Sequence, residues 1–402
     1  MIEKFVLNGS IKNAVHKYIT RHLSGINPYT CEPHYAHALS QFIFSALMST
    51  EDRESIELAE LIKDVQNRTV PSIPTIHIKN IAGEPPGTLL APRKQRGFDY
   101  STNRYDRMKT CFYTEWVSWA VALLFRHTNI IHPSEHGGTN RFHMVSPICE
   151  QESRTLSAST GGGEFLQHSD ATVYTSIKTS QELEQYLTRL GTSSSISARV
   201  LGLSEKDFQT QVLCGQYSRV DATMLTGIVN KNTKTLITSP AMLQNYLIEQ
   251  GFCQPEFKRL SEMPVAHIAG PADGEISGFV GNIVPPLLLN EQGNILGTCI
   301  NLAPNRMIYV GNSPEDSALF TEFCDSAIAC PSLEIVVEAS DILLLPNLAT
   351  KDQSNVTHGR EKIASDSYNV EVDGVLVRRN LCRQYLVHCD TYKLKESNYG
   401  TC

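Results

Sequence analysis

No run of about 18 apolar residues occurs anywhere in the 402-residue sequence, so nothing in it reads as a membrane-spanning helix. The opening segment "MIEKFVLNGSIKNAVHKYIT" lacks the sustained apolar core of a secretory signal, and a soluble, cytoplasmic protein is the expectation. Positive charge is not in surplus. Lys and Arg number 35 against 42 Asp and Glu, a formal charge of −7, which argues against a broad electropositive surface and hence against a nucleic-acid partner. The 11 cysteines form no CxxC pair and are too sparse for a stapled secreted module, so they read as reduced thiols. There is no G-x-S-x-G elbow, no GxxxxGK[ST] loop and no HExxH, and "TGGGEFL" lacks the spacing of a dinucleotide fingerprint. Hydrolases of those types, kinases and nicotinamide enzymes therefore find no support.

What is present belongs to a globular chain, with 41% hydrophobic and 19% charged residues. Residues 10 to 66 carry apolar spacing near 3.6, beginning at a Ser able to cap and passing Gly25, which predicts a helical section. "VPSIPTIHIKNI" alternates like a strand, "GEPPGTLLAPRKQRGFDYSTNRYDR" reads as a solvated basic loop, and "TEWVSWAVALLFR" returns to helical spacing. From residue 140 onward the texture changes to short β-like runs: "RFHMVSPI", "EFLQHSDATVY", "SISARVL", "NILGTCINLA", "RMIYV", "LEIVVEASDILLLPN" and "VLVRRNLCRQYLVH". Helical interruptions are expected near 181 to 190 and 314 to 328. The expected fold is mainly β with flanking helices, divided into a helical section over 1–70 packed on a β core over 71–402.

Within "EFLQHSDATVY", His168 and Asp170 stand two apart, so in a strand they project from one face and converge on one point. Such a pair suits a metal, given a third ligand. "CEPHYAH" offers Cys31, His34 and His37 at helical spacing, yet no partner cluster completes a zinc site, and these read as structural. His132, His136 and His143 fall near predicted loops or strand ends. His358 differs, since it lies in "THGR" after the buried run "DILLLPN" and a polar loop. About twenty residues later Arg379 and Arg383, four apart in a strand, share a face with Leu381 and Tyr385. Two inward guanidiniums cost several kcal/mol unless each meets an anion, and a carboxylate fits them in a bidentate pair. Two histidines and a carboxylate form the facial triad of non-haem Fe(II) oxygenases.

The order H-x-D, a long insert, a distal His in "HGR" and "R-x-x-x-R" in the last strand resembles the Fe(II)- and 2-oxoglutarate-dependent oxygenases. Within them it is similar to the clavaminate synthase-like amino-acid hydroxylases, over roughly residues 130 to 390. The sequence departs from that pattern with Asp170 where Glu is common, Asn380 where an aromatic is usual, and a longer interval from the distal His to the first Arg. The resemblance implies a double-stranded β-helix, or jelly-roll, with "EKIASDSYNVEVDG" as a hairpin or lid loop. It implies Fe(II) on His168, Asp170 and His358, with 2-oxoglutarate and O2 as cosubstrates. Arg379 would meet the distal carboxylate of 2-oxoglutarate. Arg383 would approach the same acid or the substrate's carboxylate, and Arg378 would face outward unless a bulge exchanges the roles. A Thr or Ser among Thr192, Ser193, Ser194 and Ser195 would bond the cosubstrate, with Ser194 as the candidate. "SEHGGTNRFHMV" resembles the pocket segment, making Glu135 and His136 substrate candidates.

The activity so implied is hydroxylation of an unactivated C–H of a free L-amino acid, with succinate and CO2 released. Arginine or lysine is the expected substrate, because acids such as Glu135 suit a cationic side chain. Desaturation or epimerisation on the same scaffold, or a carrier-tethered substrate, are the neighbouring readings, and no membrane partner is expected. The assembly left open includes a homodimer. The rival from another class is a non-catalytic β-sandwich binding protein in which His168 and His358 are ordinary polar residues.

Overall fold

The computed structural model describes residues 2–69, 72–81, 112–129, 142–145, 164–170, 177–214, 220–269, 279–351, 353–364, 369–372 and 374–390. The N-terminal helices form as their spacing predicts. Asn8 opens α1 (Gly9–His22) by accepting from the Ser10 amide at 3.0 Å, and Ile11, Val15 and Ile19, four apart, make its buried stripe. Helix α2 (His34–Met48) follows, and Asp52 caps α3 (Arg53–Asn67) by accepting from the Ser55 amide at 3.1 Å. Helix α4 (Tyr113–Leu124) is apolar almost all round and is buried on nearly every side, with Trp116 and Trp119 stacked 6.1 Å apart.

These helices cover one face of a seven-stranded sheet. Its order is β1 (Ile2–Val6), β2 (Thr75–Lys79), β14 (Ile342–Pro346), β6 (Ala222–Val229), β18 (Asn380–His388) and β3 (His127–Asn129), with β4 (His143–Val145) also on β18. Side chains alternate across it. Met224, Ile342, Leu344, Cys382 and Leu386 join the helical core, whereas Leu225, Leu343, Leu345 and Leu381 turn the other way. That second set meets Ile237, Val337 and Val356 beneath a four-stranded sheet ordered β13 (Leu333–Val336), β7 (Lys234–Thr238), β15 (Thr357–Arg360) and β5 (Phe165–His168). Two sheets with an apolar layer between them form the jelly-roll that was expected.

Two excursions leave this sandwich. Between β5 and β6 lie α5 (Ser180–Arg189), α6 (Ser194–Val200) and α7 (Glu205–Cys214). Between β7 and β13 lie α8 (Pro240–Glu249), α9 (Gln254–Leu260), β8 (Val265–Ala269), β9 (Phe279–Ile283), β10 (Leu287–Leu289), β11 (Ile295–Thr298), β12 (Met307–Tyr309) and α10 (Pro314–Ala329). The run "SISARVL", expected as a strand, is a helix. Ser193 caps it by accepting from the Ile196 amide at 3.2 Å, and Ser194, Ser197 and Ala198 form its buried side. The segment before the final strand is a hairpin, as expected, of β16 (Asn369–Val372) and β17 (Val375–Arg378). Among the described residues no helix is long and apolar enough to cross a membrane.

Candidate metal centre

Strands β5 and β15 run antiparallel with His168 directly opposite His358, so pairing alone brings two imidazoles from positions far apart in the chain to ring centroids 4.3 Å apart. The approach of the strands depends on Gly359. A Cβ there would stand 2.5 Å from the Phe165 carbonyl oxygen, which is backbone and cannot yield. Immediately past β5 the chain leaves the sheet and Asp170 turns back under both rings. Its Oδ1 lies 3.6 Å from His168 Nε2 and its Oδ2 lies 3.4 Å from His358 Nε2. All three residues are buried, and their ligand atoms lie within 4.8 Å of one another.

The protonation pattern suits a cation. His168 Nδ1 faces the Leu166 carbonyl at 3.1 Å, and since a carbonyl only accepts, that nitrogen carries the proton and Nε2 presents a lone pair. This Nε2 is buried without a hydrogen-bond partner. Burial, with His168 and Arg383 adding to it, pushes the proton affinity of His358 down to about 3, so its ring is neutral. Burial opposes the charged form of Asp170, but His358, His168 and Arg383 overcome it and hold the carboxyl well below its ordinary range. Two buried imidazoles and a carboxylate held in its charged form, a few ångströms apart, are a donor set that one ion coordinated at about 2 Å would satisfy.

Asp170 is held from all sides. Thr223 on β6 donates its hydroxyl to Oδ2 at 2.7 Å, Tyr385 on β18 donates to Oδ1 at 3.3 Å, and Arg383 stands 3.8 Å from Oδ1 while stacking over the Tyr385 ring at 4.8 Å. Its backbone is clamped by Asn347, just past β14. The Asp170 amide donates to Asn347 Oδ1 at 2.7 Å, and Asn347 Nδ2 donates to the Asp170 carbonyl at 2.8 Å and to the Val220 carbonyl at 3.0 Å. Asn355 in turn donates to the Asn347 carbonyl at 3.0 Å. Thr223 and Asn347 were not singled out in the sequence. Only the placing of a small polar residue inside or at the end of a mostly apolar strand marks them.

The other sequence candidates separate. Leu381, Arg383 and Tyr385 share the inward face of β18, as expected. Arg379, 1% exposed, sits just before that strand and donates through Nε to Asn230 Oδ1 at 3.1 Å. Burial pushes its guanidinium down to about 9, with Arg360 adding to the shift and Glu361 opposing it. Arg360, buried and two residues past His358, is thus a further cation in this region that the sequence reading passed over. A register shift falls between Asn380 and Leu381, two residues past Arg378. The side chain of Arg378, like Glu135 and His136, lies outside the described residues.

Ser194 is placed elsewhere. It is buried at the start of α6, where its amide donates to Glu184 Oε1 at 3.2 Å, and the neighbouring Thr192 donates to the Val310 carbonyl at 2.9 Å. Among the described residues, no hydrogen bond or ion pair joins this segment to the triad. The hydroxyls that do reach it are those of Thr223 and Tyr385.

No family model matches the chain, nor does any curated protein sequence. Solved structures do match along nearly its whole length. The non-heme iron oxygenase OrfP, in complex with Fe and alpha-ketoglutaric acid, superposes with a TM-score of 0.58 at 13% identity, covering 98% of this chain and 96% of its own. A variant of OrfP in complex with hydroxy-L-arginine gives 0.59 at 14% identity over the same shares. Asparagine oxygenase in complex with Fe(II), 3-hydroxyasparagine and succinate gives 0.59 at 12% identity, covering 96% of this chain and 93% of its own. The chain shares the fold of these non-heme iron oxygenases.

Proposed function

We propose that the protein is an Fe(II)- and 2-oxoglutarate-dependent dioxygenase that hydroxylates an unactivated C–H of a free L-amino acid. The observation that carries this reading is the triad. Two histidines face each other across paired strands, with a buried carboxylate beneath them and one ring lone pair left without a partner. The solved structures of like fold, described with iron, 2-oxoglutarate or succinate and hydroxylated amino acids, support it.

His168, Asp170 and His358 would hold the iron, which with O2 and 2-oxoglutarate supplies the oxidising power for C–H hydroxylation, succinate and CO2 being released. The remaining work belongs to the chain. The Leu166 carbonyl fixes the His168 tautomer, so the ring presents its lone pair without rearrangement. Thr223, Tyr385 and Asn347 fix the carboxylate in place. Arg379 is the residue for the distal carboxylate of 2-oxoglutarate, because a guanidinium this deeply buried is best stabilised by an anion. Arg383, already beside Asp170, is placed to meet a second carboxylate, that of the amino acid. A basic substrate was expected from Glu135, and the hydroxy-arginine complex of OrfP agrees with it.

Anaerobic addition of Fe(II) and 2-oxoglutarate to the apoprotein is expected to produce a weak visible charge-transfer band. Asp170→Ala should lose both the band and succinate formation. A wild-type protein without the band, or an Asp170→Ala variant with undiminished turnover, would remove the proposal.

A further inference from the structure

With its backbone clamped by Asn347, Asp170 keeps only the rotations of a short side chain, and the contacts of its two oxygens decide what it presents to an ion. Those oxygens stand almost alike toward the imidazoles, Oδ1 at 3.6 Å from His168 Nε2 and Oδ2 at 3.4 Å from His358 Nε2. Neighbouring ligands on one octahedral ion, each bound at about 2 Å, lie about 3 Å apart. Either oxygen, or both together, is therefore near enough to serve.

The hydroxyls break that symmetry. Thr223 donates to Oδ2 at 2.7 Å, the usual length of a hydroxyl hydrogen bond, whereas Tyr385 and Arg383 approach Oδ1 only to 3.3 and 3.8 Å, beyond the ordinary range. The Thr223 proton takes one lone pair of Oδ2 and draws charge from the other, so Oδ1 is left as the stronger ligand. The fold leaves that proton little other use. Strand β6 is central, paired with β14 on one edge and β18 on the other, so its backbone carbonyls are engaged in the two ladders. Thr223 itself is wholly buried, opposite Leu345 on one side and Tyr385 on the other.

We propose that Thr223 is a positioning residue that keeps Asp170 a one-oxygen ligand, holding Oδ2 off the ion and so reserving a coordination position that a two-oxygen grip would fill. Two imidazoles and one carboxylate oxygen occupy half the positions of an octahedral ion. A 2-oxo acid bound through two oxygens leaves a single position for O2, and a second oxygen from Asp170 would close it. The use of that position rests on the oxygenase reading above. The hold on Oδ2 belongs to the metal site alone and can be tested without the cosubstrate.

The probe is Mn(II), which accepts imidazole and carboxylate ligands in octahedral geometry, and whose bound waters are counted from the broadening of its paramagnetic resonance in water enriched with the magnetic oxygen isotope. Wild type, Thr223→Val, Thr223→Ser and Tyr385→Phe are compared with Mn(II) alone and then with 2-oxoglutarate added. Thr223→Val keeps the branched shape and removes the donor; it should hold one water fewer than wild type in both complexes, with Mn(II) bound at least as tightly, because the freed oxygen adds a bond. Thr223→Ser restores the hydroxyl and should regain the water. Tyr385→Phe removes only the longer contact on Oδ1 and should keep the wild-type count. An equal count in Thr223→Val, or a count that falls in Tyr385→Phe as well, would overturn the inference. Where Thr223→Val does not fold, wild type and Tyr385→Phe decide: each must keep a water on Mn(II) with 2-oxoglutarate bound, and its loss in either overturns the inference. A protein that binds Mn(II) but not 2-oxoglutarate beside it would fail the oxygenase reading instead, and the count with metal alone would still judge Thr223.

Discussion

Replacing Asn347 by Ala is the most searching test of how the metal centre is built. The side chain closes three hydrogen bonds at 2.7, 2.8 and 3.0 Å, two on the backbone of Asp170 and one on the Val220 carbonyl. Truncation leaves one amide and two carbonyls buried with those bonds unmade. At about 1 kcal/mol or more for each, the apoprotein should lose about 3 kcal/mol. In urea this would appear as a lower midpoint at an unchanged slope, since the surface exposed on unfolding stays the same. The carboxylate would also lose its fixed position under His168 and His358, so Fe(II) affinity should fall about 10- to 100-fold, as when other groups that orient metal ligands are removed. Equilibrium unfolding of the metal-free variant and anaerobic Fe(II) titration read the two effects separately. A stability loss below about 1 kcal/mol, or unchanged iron affinity, would refute the view that this asparagine positions Asp170.

Three further outcomes follow from particular contacts. Gly359→Ala places a Cβ 2.5 Å from the Phe165 carbonyl, so β5 and β15 must part; we expect a loss of about 1–3 kcal/mol together with weaker iron binding, read by thermal unfolding and metal titration. Arg379→Leu should raise the 2-oxoglutarate concentration needed for succinate formation while leaving Fe(II) binding intact, and an unchanged requirement would take the cosubstrate role from this residue. His267 is driven from its ordinary 6.5 down to about 4 in the folded protein, so the unfolded chain takes up a proton in that window that the native state refuses. Its contribution to stability is therefore intact above pH 6.5 and is lost as pH falls toward 4, at up to about 1.4 kcal/mol per pH unit. The slope difference between wild type and His267→Phe in pH-dependent unfolding measures it.

The parts of this centre that could be read from the sequence are those whose spacing is fixed by local geometry. Leu381, Arg383 and Tyr385 share a face because strand residues alternate, whereas His168 closes β5 and Asp170 reaches the same point from the turn after it, not from the strand the spacing suggested. His358 could be proposed because the donor set lacked a second imidazole, and Arg379 because an inward guanidinium is costly without an anion. Asn347 could not be found that way. Its partner Asp170 lies 177 residues off, and at the end of "ILLLP" an asparagine looks like any turn residue. The helix Ser194–Val200 was misread because its Ser-rich, β-branched composition suits a strand, while the cap at Ser193 that decides the matter is a single hydroxyl.

His267, buried with neither ring nitrogen hydrogen-bonded, marks the deeper boundary of such reading. In "MPVAHIAG" nothing distinguishes it from a histidine satisfied within the core, since whether its nitrogens find partners depends on how the excursion between β7 and β13 folds back along β5. That excursion is tied to the sandwich by backbone bonds of Ser169 and Leu302 and by the Asn355 side chain, which accepts from the Thr298 amide at 2.9 Å and donates to the Thr298 carbonyl at 2.7 Å. The jelly-roll supplies the ion's ligands by strand pairing, which sequence periodicity records. The wall facing them is supplied by an inserted segment docked through main-chain contacts, which leave almost no mark on residue choice. Metal chemistry can therefore be inferred from such a chain well before the arrangement of the segment around the ion can.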